Sequence, residues 1–275
     1  HFSMPGGMER RSLEQRRCLM SALATLTHPL WRELEEFMGE RFRPDWCNDG
    51  EAKSVAELHR YPDIGTFYRE STILCYQSVA YFLAGWKRPY YALLMELGRG
   101  ALHILDYGCG AGHDGIWLAE AGYQVTFVDL PSRSLDFCRW RVQRRGLNAE
   151  IIPINQHGMT HVPFVHVVWC MDVVEHLPPA QQAALLSRLA LLGQVVLVNL
   201  IEDTKADGQI HYPVDRVALT DHVAQTSHVF AKDTYAMADG NRSRVLMYGS
   251  GVHREAEGQF RIDLRGDGAE EKEPR

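Results

Sequence analysis

The segment Ile104-Leu105-Asp106-Tyr107-Gly108-Cys109-Gly110-Ala111-Gly112 constrains this chain more than any other, because an apolar run passes directly into three alternating glycines and then into a helical pattern. Side chains at those glycines would block both the tight turn and the close approach of a ligand to the backbone. The helix start beyond them presents oriented N–H donors. The next apolar run ends in Asp129, about 20 positions after Gly108, the spacing at which a carboxylate accepts both hydroxyls of a ribose. Strand, glycine turn, helix and a second strand ending in an acid describe a nucleoside-binding βαβ unit.

The same alternation continues downstream and predicts a mostly parallel sheet. Strands are expected at His103 to Tyr107, Gln124 to Asp129, Glu150 to Ile154, Val165 to Cys170 and Gln194 to Asn199. Helices are expected at Asp114 to Ala121, Ser132 to Arg145, Pro179 to Leu191 and Pro213 to Gln225. Val229 to Met237 and Arg244 to Tyr248 flank Ala238-Asp239-Gly240-Asn241, whose Asp-Gly step favours an antiparallel turn. The fold class is therefore α/β: a doubly wound, mostly parallel seven-stranded sheet closed by an antiparallel hairpin, with an N-terminal helical extension. The expected boundaries are 4–100 for that extension, 101–251 for the sheet domain and 252–275 for a charged, mobile tail.

With 275 residues the chain can bury one sizeable core and carry extra helices. A net charge of -6 gives no basic excess to attract a polyanion, so nucleic acid is not an expected partner. No apolar run reaches the roughly 20 residues of a membrane span, and no secretory signal is visible, so no membrane partner and a cytoplasmic location are expected. His1, Phe2 and Ser3 read as a cloning remnant ahead of Met4. Six cysteines without a C-x-x-C pair suit reduced thiols. The expected oligomeric state is monomer or homodimer.

A nicotinamide-binding domain competes for the glycine turn, but the dinucleotide fingerprint wants glycine at 113, where the chain has His113. Asp106, just ahead of the glycines, lies near the place of a cationic amino acid. The chain here resembles the class I S-adenosylmethionine-dependent methyltransferase family over about Leu102 to Tyr248. The stretch from Val167 to Leu177 is similar to that family's fourth strand and following turn. The resemblance implies S-adenosylmethionine as cofactor and S-adenosylhomocysteine as product. It also implies that Asp106, Gly108, Cys109, Gly110 and Gly112 wrap the methionine part, that Asp129 holds the ribose, and that Leu130 flanks the adenine, with Met171 beside the cofactor. Where the family often has an acid after the third strand, this chain has Asn155-Gln156-His157, so Asn155 or Gln156 would bond the adenine through an amide oxygen.

The expected activity is in-line methyl transfer to a small-molecule acceptor, for which positioning supplies about 7 to 11 kcal/mol of barrier reduction. Two of the 13 histidines sit on the carboxyl edge of the sheet, His176 after the fourth strand and His211 after the fifth. Both are candidate bases, and His211 is also a candidate for touching the acceptor. Aromatic residues from Phe67 to Tyr91, with Trp86 among them, point to a leader that roofs the acceptor; Tyr68 and Tyr76 are the expected acceptor contacts. Asp172, Glu175, His176 and His211 resemble in part the metal set of small-RNA 2'-O-methyltransferases, which leaves a metal-assisted RNA reading as an alternative beside an NAD(P)-dependent reductase. No metal ligand is assigned. Arg139, Arg141, Arg144 and Arg145, like Arg10, Arg11, Arg16 and Arg17, are expected to be solvated charge.

Overall fold

The computed structural model describes residues 28–47, 50–85, 87–97, 102–154, 161–202, 211–234, 242–255 and 260–264. Asn155, Gln156, His157, Trp86, the turn at Ala238 to Asn241 and the first arginine group lie outside them.

The leader contributes helices α1 (Pro29–Met38), α2 (Gly50–Leu58), α3 (Ile64–Glu70), α4 (Ile73–Ala84) and α5 (Arg88–Glu96). Residue chemistry sets their ends: Asp63 caps α3 by accepting from Thr66 N at 2.8 Å, and Gly85 closes α4 in the left-handed conformation. In α1, Leu30, Trp31, Leu34 and Met38 form one buried stripe.

The sheet domain follows with β1 (His103–Tyr107), α6 (His113–Glu120), β2 (Gln124–Asp129), α7 (Arg133–Arg144), β3 (Glu150–Pro153), β4 (Val165–Cys170), α8 (Pro179–Leu189), β5 (Gly193–Glu202), α9 (Arg216–Ala224), β6 (Val229–Thr234) and β7 (Arg242–Tyr248). Seven strands form one sheet in the order β3-β2-β1-β4-β5-β7-β6. The first five run parallel, while β7 lies antiparallel between β5 and β6. The near-continuous apolar composition of β4 and β5 reflects burial on both faces, as helix-covered parallel strands require. One face packs Leu105, Val168 and Val196 against Leu186 of α8 and Leu219 of α9. The other packs Ile104, Phe127 and Trp169 against Leu94 of α5, Ile116 of α6 and Leu135 of α7. No helix among the described residues is long and apolar enough to cross a membrane.

Two expectations are corrected. The stretch after Gly251 is not simply a mobile tail: β8 (Val252–Arg254) pairs with β9 (Phe260–Ile262), and Val252 is buried against the core. The arginines of α7 are not all solvated charge. Arg141 is 2% exposed; its Nε donates to Glu33 of α1 at 3.0 Å, and its Nη1 donates to the carbonyl of Ala111 at 2.8 Å. Arg145 reaches the same Glu33 at 2.7 Å, and Arg144 pairs with Glu36 at 2.6 Å. Arg139 keeps to a local surface pair, with Asp136. The basic face of α7 is the seat of α1. The leader's core takes in Phe137 of α7 and Ala111 of the glycine turn, so leader and turn share one apolar cluster.

Candidate functional site

The glycine turn leaves the carboxyl end of β1 with Gly108, Gly110 and Gly112 all at positive φ. Val128 O accepts from both Gly108 N and Cys109 N, at 2.8 and 3.2 Å, which ties the turn to the end of β2. A Cβ at Gly108 would lie 2.3 Å from Val173, and one at Gly112 would lie 2.4 Å from Cys138 Sγ. At Gly110 a Cβ would meet nothing within 4 Å. Two of the three glycines are thus needed for packing, while the third borders open space.

Asp129 stands beside that opening. Its Oδ2 accepts from Gly110 N at 2.5 Å and its Oδ1 from Leu130 N at 2.6 Å. A carboxylate has further lone pairs for a ligand. Burial pushes this carboxyl up to about 6, against the two backbone donors that lower it. The Leu130 side chain is exposed next to it.

Asp106 lies near the end of β1, just ahead of the glycines. It is buried, and its Oδ2 accepts from Gly115 N at 2.9 Å in the first turn of α6. A Cβ at Gly115 would clash with Phe127 at 2.3 Å and with that same carboxylate at 2.6 Å. Asp106 therefore braces the helix start behind the turn. Burial first, and then the neighbouring Asp114 charge, raise it to about 8.

The second turn of the site follows β4. Met171 is buried on the sheet. Asp172 has φ 59, the one non-glycine residue at positive φ among those described. Asn199 of β5 holds it from both sides: Asp172 N donates to Asn199 Oδ1 at 2.7 Å, and Asn199 Nδ2 donates to Asp172 Oδ1 at 2.6 Å. The other carboxylate oxygen of Asp172 meets Lys87 Nζ at 3.1 Å. Lys87 lies between α4 and α5 and also donates to Asp114 at 2.9 Å. Asp114 accepts as well from Tyr91 OH at 2.7 Å and from Trp169 Nε1 at 3.0 Å. Burial opposes the Lys87 charge, but the two carboxylates outweigh it and hold its ammonium well above the usual range. Burial likewise pushes Asp172 upward, and Lys87 and Asn199 bring it below the ordinary carboxylate value.

A single 3-10 turn, Val174–His176, ends this segment. The Tyr68 hydroxyl lies 2.6 Å from His176 Nδ1, and the rings of His176 and His211 are 4.9 Å apart. Tyr212 N donates to Glu175 O at 2.7 Å, which delivers the neighbouring His211 to the same place. Burial, then the Glu175 charge, keep the Tyr68 phenol protonated far above its usual range.

Tyr68, His176 and His211 thus come together. Tyr76 does not join them: it is buried in the leader's core beside Phe42 and Trp46, and its hydroxyl accepts from Arg43 N at 2.8 Å. Lys87, Asp114 and Asn199 went unnoticed in the sequence. Asp114 reads there as an ordinary first-turn acid of a helix, and Lys87 lies outside any motif.

Residues 104–192 match a family model described as a methyltransferase domain. The chain carries a methyltransferase domain. Among curated relatives, the ubiquinone biosynthesis O-methyltransferase of Psychrobacter arcticus is 25% identical over 62% of this chain and 63% of its own length. That of Pseudoalteromonas translucida is 32% identical over 36% and 44%. The chain thus spans about half the length of the curated relatives it matches. Among solved structures, the magnesium protoporphyrin IX methyltransferase of Synechocystis PCC 6803 with bound S-adenosylhomocysteine superposes with a TM-score of 0.52 at 16% identity, over 74% of this chain and 96% of that one. A protein from Pyrococcus horikoshii OT3 gives 0.52 at 14% identity, over 60% and 90%. These likenesses show the fold.

A methyltransferase domain implies S-adenosylmethionine as cofactor. The residues present fit that group: the opening at Gly110 is a cradle that a Cβ would fill, and Asp129 borders it with an acceptor for ribose hydroxyls.

Proposed function

We propose that the chain transfers the methyl group of S-adenosylmethionine to a hydroxyl of a small, ring-containing acceptor, in the cytoplasm. The observation that carries this reading is the meeting of Tyr68, His176 and His211 at the carboxyl edge of the sheet, on the turn that also touches the glycine loop through Val173. The curated relatives support it, being named O-methyltransferases of a quinone pathway.

When bound, the cofactor supplies an already reactive methyl group on a positively charged sulfur. The protein's work is then to bind, align and exclude water. Gly110 and Asp129 would hold the nucleoside, and exposed Leu130 would lie along its base; Asn155 or Gln156 would receive the adenine amino group. His176 or His211 would take the proton that the acceptor hydroxyl loses. Tyr68 would orient the His176 ring through Nδ1 and close the acceptor side from the leader. Tyr76 has no part in this scheme. The metal-assisted alternative is weaker, because the Lys87 ammonium already meets the Asp172 charge, and no group of three metal-capable side chains is present among the described residues.

The test is methyl transfer from labelled S-adenosylmethionine to a panel of phenols, catechols and aliphatic alcohols, with and without a divalent-ion chelator. Label on a phenolic oxygen, unaffected by chelator, is the expected result. Transfer only to RNA, or transfer abolished by the chelator, would overturn the reading.

A further inference from the structure

Lys87, a second contact of the leader with the turn after β4, has no part in the scheme above, yet its geometry is specific. Lys87 bridges two carboxylates belonging to the two turns of the site. Asp114 opens the helix that follows the glycine turn, and Asp172 opens the turn that carries His176. Asp172 sits in the left-handed region, which a non-glycine residue adopts only occasionally and keeps when its surroundings hold it there. Those surroundings are Asn199 from β5 and Lys87 from the leader. The next residue, Val173, packs against Gly108, and His176 follows one helical turn later. One cation from the leader therefore fastens the backbone on which both the donor turn and the acceptor histidine depend.

We propose that Lys87 is a positioning residue, whose ammonium holds Asp172 left-handed so that docking of the leader sets His176 toward Tyr68 and Val173 against Gly108. The lysine touches neither substrate; it acts through the turn. The arrangement makes the acceptor side complete only when the leader is seated, so a chain with the leader displaced has neither Tyr68 nor the fastened turn. This inference rests on the proposed function for its meaning, but its structural content is testable alone.

The experiment uses the full chain with 15N-labelled histidine, in wild type, K87M, K87R, D172N and Y68F forms. Ring-nitrogen NMR signals of His176, assigned through H176N, are read beside calorimetric titration with S-adenosylhomocysteine. Y68F defines the His176 signature without its phenol partner. The expected result is that K87M shows the Y68F signature and binds S-adenosylhomocysteine at least tenfold more weakly, while K87R restores both. D172N keeps a residue tolerant of positive φ and keeps Lys87 on Asp114, so it decides the matter if K87M does not fold: it too is expected to lose the wild-type signature. Wild-type His176 signals in folded K87M or in D172N would overturn the proposal. Failure of the wild type to bind S-adenosylhomocysteine would instead strike the proposed function, leaving the His176 signals to judge Lys87.

Discussion

Tyr68 and His176, 108 positions apart in the chain, meet with the phenol oxygen 2.6 Å from the ring Nδ1. The pair joins the leader to the sheet domain at the edge where open α/β folds bind ligands. Replacing the histidine with asparagine is expected to lower turnover on the order of 100-fold, the scale of a lost general base, with S-adenosylhomocysteine affinity nearly unchanged. Tyr68→Phe is expected to cost about tenfold in turnover, the scale of one hydrogen bond. Steady-state kinetics beside calorimetry separates these from a general loss of structure.

The glycines of the turn make a second, sharper contrast. Gly110→Ala introduces a side chain at positive φ but into open space, so it is expected to cost about 1 to 2 kcal/mol of stability and to abolish cofactor binding. Gly108→Ala drives a Cβ into Val173 and is expected to destabilise the fold more strongly. Thermal unfolding ranks the two, and S-adenosylhomocysteine titration of the folded Gly110→Ala protein checks the blocked cradle.

Asp129 gives a pH dependence with a worked sign. Its carboxyl rises from 3.8 to about 6 on folding because it is buried. The folded chain then binds this proton more tightly than the unfolded chain, so the contribution to stability is full below pH 4 and is lost as pH rises toward about 6. Ribose recognition runs the other way, since it needs the ionised acceptor. S-adenosylhomocysteine affinity is expected to fall about tenfold between pH 7 and pH 5, and calorimetry on Asp129→Asn is expected to show no such slope.

The seat of the leader is testable through Arg141, which is buried with Glu33 and the Ala111 carbonyl as partners. Removing one partner of a buried pair costs about 3 to 5 kcal/mol. Arg141→Ala is expected to lower the unfolding temperature and to open the leader to limited proteolysis ahead of the sheet domain. Arg139→Ala, whose pair is on the surface, is expected to do neither.

Much of this was readable from residues alone where period and chemistry agree locally. The strand that carries Asp106, the three glycines and Asp129 announce their geometry because each is a short-range requirement. The antiparallel β6–β7 pair was legible through the Asp239-Gly240 step between the two runs, although β7's place between β5 and β6 depends on long-range pairing. The α7 arginines misled, because a basic helix face looks the same in sequence whether it meets water or the acids of α1. Tyr76 misled for a similar reason: an aromatic at helical spacing does not declare whether it faces a ligand or its own helical layer. Lys87 and Asp114 were illegible, since their meaning arises only when segments from leader, α6 and β4 converge.

The central claim is that the turn at 106 to 112 and Asp129 bind S-adenosylmethionine, and calorimetric titration with S-adenosylhomocysteine tests it most directly. A one-to-one complex in the micromolar range, at least tenfold weaker in Asp129→Asn, is the predicted result. Absence of heat at millimolar S-adenosylhomocysteine, or an affinity indifferent to Asp129, would contradict it.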